Sequence, residues 1–132
     1  MDPRLVRPVA DLIDEMGYTN RCYDPKTGGG IKSLAAGECE ETRTCSGYID
    51  LVHAHGAGPA EEVILSAHTN CAAYAASGHK FEADQLGEEL SFLRGEMDRA
   101  VKHVKETFPD LRIIRKLVFI MNGDAVKEIV DF

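Results

Sequence analysis

Two residues in the segment Glu61–Tyr74, EEVILSAHTNCAAY, have the types and the spacing for metal chemistry. His68 and Cys71 stand three apart, so a tight turn can point an imidazole nitrogen and a thiolate at one cation. Zinc accepts that mixture at about 2.0–2.3 Å. Two ligands do not hold zinc, and the chain offers Cys22, Cys39, Cys45, His53, His55 and Asp24 as further donors. Cys22-Tyr-Asp24-Pro-Lys26 supplies a thiolate, a carboxylate and a cation at alternate positions, which in extended chain project to the same side. Asp24 could reach the metal beside Cys22, or pair with Lys26 and leave a coordination position open. Cys39 and Cys45 compete with Cys22 for the third place. The plainer reading makes His68 half-buried, Cys71 a core thiol and Asp24–Lys26 a solvated turn pair.

The elements that must position these residues are legible to different degrees. Val63–His68 is a compact apolar run that reads as a buried strand, and Thr69–Ser77 as a tight turn opening a small-residue helix. The carboxyl end of such a strand is where α/β sheets build sites. Leu86, Leu90, Leu93, Met97, Val101, Val104 and Phe108 step by four or three, the strongest helix signal, ending before Pro109. Arg112–Met121 is β-rich, and Asn122-Gly123 predicts a hairpin turn into Ala125–Val130.

Upstream, Leu5, Val9, Leu12, Ile13 and Met16 predict an amphipathic helix with Asp2-Pro3 as its start and Gly17 as its stop. Pro8 places the start of its regular part late. Ile31–Ala36 fits a single helical turn, and Gly37–Thr44 is polar without a clear period. Tyr48-Ile-Asp-Leu-Val52 reads as a short strand, which would put His53 and His55 on one face, lining a pocket or solvated. His79 and His103 read as surface residues. The whole predicts one α/β domain over 1–132: a small, mainly parallel sheet flanked by helices, with a C-terminal β-hairpin and an N-terminal helical arm over 1–17.

Composition narrows the function classes. The chain has 132 residues, 15 Lys and Arg against 22 Asp and Glu, and a net charge of −7. Without a dense basic block it is a poor candidate for nucleic acid or an anionic membrane. No apolar run approaches the roughly 20 residues that span a bilayer. The first residues alternate charged and apolar types, unlike an export signal, which points to a cytoplasmic, reducing setting where Cys with His means metal or catalysis. Gly28–Gly30 lacks the Lys-Ser/Thr of a phosphate loop. Cys39 and Cys45 leave a redox-sensing thiol protein as a further possibility.

Cys22-Tyr-Asp24-Pro-Lys26 and His68-Thr-Asn-Cys71 together resemble the Cys-x-Asp-x-Arg and His-x-x-Cys motifs of the β-class carbonic anhydrases and their shorter relatives. The resemblance extends over roughly residues 20–121 and is sharpest over 61–74. It implies a β-carbonic-anhydrase-like fold in which Cys22, His68 and Cys71 bind zinc, and Asp24 with Lys26 governs access to the fourth position. It implies a carbonate dehydratase-like zinc lyase: a zinc-bound hydroxide attacks carbon dioxide to give bicarbonate. Ala72 replaces the family's usual Gly, and Lys26 its Arg, which removes a bidentate fork. The alternative is a non-catalytic relative with a structural or closed zinc site, acting as an oligomeric binding module. Sites in this family lie near a dimer interface, so a homodimer or higher oligomer is expected.

Overall fold

The computed structural model describes residues 2–19, 22, 30–37, 39–55 and 61–132, with only the backbone of His55. The fold is α/β, built on one three-stranded mixed sheet among the described residues. β1 (Glu62–His68) runs parallel to β2 (Ile113–Asn122), and β2 runs antiparallel to β3 (Ala125–Asp131), in the order β1-β2-β3. One pair is therefore parallel and one antiparallel, rather than mainly parallel as expected. The hairpin forms where Asn122-Gly123 predicts it, with Gly123 at φ +59°, a conformation glycine adopts without steric cost.

The parallel connection carries a short helix, α1 (Ala72–Ala75), and a long one, α2 (Leu86–Thr107). Leu93, Met97, Ala100 and Val104 on the long helix are at most 1 % exposed and pack over Leu65, Ala67 and Val118. Their four-three-four spacing aligns one stripe with the sheet. β2 is buried without interruption from Leu117 to Met121 because both its faces are covered. Val118 faces the helix side, while Phe119 and Met121 pack with Leu5, Val9 and Leu12 of the N-terminal arm.

That arm begins with a 3-10 turn, Pro3–Leu5, followed by α3 (Val6–Glu15). The helix starts at Val6, ahead of Pro8. Pro8 sits in its first turn, where a missing N–H removes no intrahelical bond. Gly17, at φ +77°, follows its end. A six-residue helix, α4 (Gly30–Ala35), adds Ile31 and Leu34 to the core.

Residues 48–52 are corrected from strand to helix: they lie inside α5 (Glu40–His55). Its buried side is made by Thr42 and Cys45, with Ile49 packed against the core. Those positions have helical spacing, but two of the three are polar or small. The apolar run at 48–52 therefore suggested a strand, although Tyr48 and Leu51 are exposed. The shared strand face expected for His53 and His55 does not apply. His53 Nε2 instead lies 2.8 Å from Asp110 Oδ2. No helix among the described residues is long and apolar enough to cross a membrane.

Candidate functional site

His68 is the last residue of β1, and two bonds beyond it hold the strand against β2. Thr69 N donates to Phe119 O at 3.0 Å, and Met121 N donates to Thr69 Oγ1 at 2.8 Å. Thr69 is 1 % exposed, so both groups find their partners where water cannot replace them. The chain then turns through Asn70, at φ +55°. Asn tolerates this left-handed conformation better than most non-glycine residues. Cys71 follows at the N-cap of α1. Strand end, turn and cap thus bring the imidazole and the thiol together, as the spacing predicts.

The imidazole is oriented. His68 Nδ1 lies 2.9 Å from the Thr69 carbonyl oxygen, which can only accept, so Nδ1 carries the proton. In the neutral ring Nε2 is then left with its lone pair, the arrangement a metal-ligating histidine needs. Burial pushes the His68 pKa down, but the hydrogen bonds to Cys71 and to Thr69 outweigh it and leave it raised. For Cys71 burial pushes the thiol up, yet His68 and the backbone N–H groups of Tyr74 and Ala73 hold it below its usual value. Each member of the pair favours the other's charged form, so Cys71 is biased toward the thiolate that a metal or an electrophile requires.

A second pair that sequence reasoning missed completes the cluster. Asp2 Oδ2 lies 3.8 Å from His68 Nε2, and both side chains are nearly buried. Arg4 grips the carboxylate on both oxygens: Nε donates to Oδ1 at 3.0 Å and Nη2 to Oδ2 at 2.7 Å. The Arg4 hydrogen bonds lower the Asp2 pKa from 3.8 to about 2. Arg4 Nη1 also donates to Gly123 O at 3.0 Å, tying the pair to the β2–β3 turn. Asp2 doubles as an N-cap, accepting from Arg4 N at 2.9 Å, and its place before Pro3 suggested only a helix start. The available signal was the Asp-x-Arg spacing of Asp2 and Arg4. On the other flank, Glu89 in the first turn of α2 accepts the Asn70 N–H on Oε1 at 2.7 Å.

The remaining expected residues fall elsewhere. Asp24 and Lys26 lie outside the described residues. Cys22 is exposed. Cys39 Sγ is 2.9 Å from Thr42 Oγ1, at the start of α5. Cys45 lies buried in the core. Among the described residues, no three of His, Cys, Asp and Glu are arranged to hold a metal ion. Compared with protein-family models, curated proteins and solved structures, the chain matches none.

Proposed function

We propose that His68 and Cys71 are zinc ligands and that the site hydrates carbon dioxide to bicarbonate, in the manner of the β-class carbonic anhydrases. The observation that carries this is the Asp2–Arg4 pair beside a His68 oriented by the Thr69 carbonyl, with Cys71 three residues on in the same turn. Asp2-Pro-Arg4 has the Asp-x-Arg spacing of that family's dyad and takes the role expected of Asp24 and Lys26.

The donor set suits the metal: one neutral imidazole nitrogen and one thiolate, at the carboxyl end of a parallel strand pair. His68 and Cys71 would hold a zinc ion there, which would supply hydroxide near neutral pH by lowering the pKa of bound water. Asp2 is ionised at every working pH, because Arg4 holds its pKa near about 2. Its Oδ2 faces His68 Nε2, where it can accept the proton of a water or hydroxide and aim the oxygen's lone pair at carbon dioxide. With both oxygens hydrogen-bonded to Arg4, the carboxylate would be held in one orientation beside a metal bound by His68 and Cys71.

A third protein donor is required. We assign the third position not to the exposed Cys22 but to a donor outside the described residues or to a second copy of the chain. A cytoplasmic, reducing setting keeps Cys71 available to the metal.

Stopped-flow hydration of carbon dioxide by the zinc-loaded protein tests the activity. The expected result is a rate above buffer that falls about 10²-fold or more in Arg4→Ala, as when one pre-set electrostatic group is lost. Zinc-loaded protein with no rate above buffer would instead identify a closed or structural site.

A further inference from the structure

Glu89 is a carboxylate with 7 % exposure in the first turn of α2, and no step of the proposed chemistry uses it. Its Oε1 accepts the N–H of Asn70 at 2.7 Å. Asn70 itself is exposed, and it is the only described non-glycine residue at positive φ. It is also one of the two residues that separate His68 from Cys71. A single buried side chain thus holds the one unusual backbone position on which the spacing of the two donors depends. Burial raises the Glu89 pKa, against the Asn70 bond and the His68 charge. An uncompensated carboxylate would be costly at this depth, so its retention has to be accounted for.

We infer that Glu89 is a positioning residue: by accepting the Asn70 N–H it locks the turn that sets the His68 imidazole and the Cys71 thiol toward a common metal. This rests on the zinc reading for its function, but the lock itself is a property of the metal-free chain. The strand bonding of Thr69 through its N–H and Oγ1 fixes the residue before Asn70. Glu89 acts on the next peptide, Thr69–Asn70, whose carbonyl oxygen meets His68 Nδ1 and whose N–H meets Glu89 Oε1. What it supplies is an acceptor at a set reach rather than a charge, so Gln should replace it and Asp, one methylene shorter, should not.

The experiment compares wild type with Glu89→Gln, Glu89→Ala and Glu89→Asp, the last keeping the charge should the alanine variant fail to fold. Amide hydrogen exchange at Asn70 is read on the metal-free proteins, and cobalt(II) is titrated while thiolate-to-cobalt absorption is followed. Protection of the Asn70 amide is expected in wild type and Gln, and its loss in Ala and Asp. The cobalt dissociation constant should rise about 10- to 100-fold in Ala and Asp, as for other residues that orient ligands, and stay within about threefold in Gln. Equal Asn70 exchange in all four proteins, or a Gln variant as impaired as Ala, overturns the inference. Absence of a thiolate band in wild type sinks the zinc reading instead, and the exchange data then decide the role of Glu89 alone.

Discussion

Asp2 shows how one side chain can serve structure and chemistry together. It caps the 3-10 turn through Arg4 N and presents Oδ2 to His68 while Arg4 holds it ionised. The depressed pKa has a consequence for stability. A carboxyl that ionises at about 2 when folded and near 3.8 otherwise adds stability above about pH 4, and that contribution disappears as pH falls toward 2. Arg4→Ala should bring the folded pKa back up and flatten this part of the curve. Urea midpoints measured between pH 5 and pH 2 on both proteins check it. The wild type should lose more stability than the variant across that interval, and parallel curves would count against the pair. His68 and Cys71 could be found in the sequence because they are neighbours within one turn. Asp2 and Arg4 could not be tied to them so simply, since their contact is made only when the N-terminal arm packs on β2.

At the scale of elements, the site depends on how the carboxyl end of β1 is fastened. Thr69 sits beyond the last strand residue, buried, with Oγ1 as the acceptor for Met121 N. Thr69→Val keeps the shape but leaves that amide without a partner, at a cost of about 1–3 kcal/mol. Chemical denaturation should show the loss, and a change below about 0.5 kcal/mol would mean that the β1 end is held by packing alone. The long helix, β1 and the hairpin were readable because their apolar periods coincide with the faces they bury. α5 was not, because Thr42 and Cys45 do the burying while Tyr48 and Leu51 stay exposed. A hydrophobicity pattern reports burial only where the buried residues are themselves apolar.

For the whole molecule, the three-stranded sheet leaves β1 and β3 each with one edge unpaired by the other described strands. Exposed Val6, Tyr48, Leu51, Ile113 and Ile129 are spread over the arm, α5 and the sheet. Unpaired edges are surfaces that proteins cover or pair, and a second copy is the cover we propose. Sedimentation velocity at micromolar concentration should give twice the 14.5 kDa chain mass or more. A monomer under those conditions would remove the second copy as a source of the third metal donor. The central claim is narrower than the assembly or the activity: His68 and Cys71 are ligands, and Cys22 is not. It is tested most directly by zinc content per chain, measured after exhaustive dialysis on wild type, Cys71→Ser and Cys22→Ser. The account predicts about one zinc per chain in wild type and in Cys22→Ser, with loss in Cys71→Ser; zinc undiminished in Cys71→Ser, or absent from wild type, would contradict it.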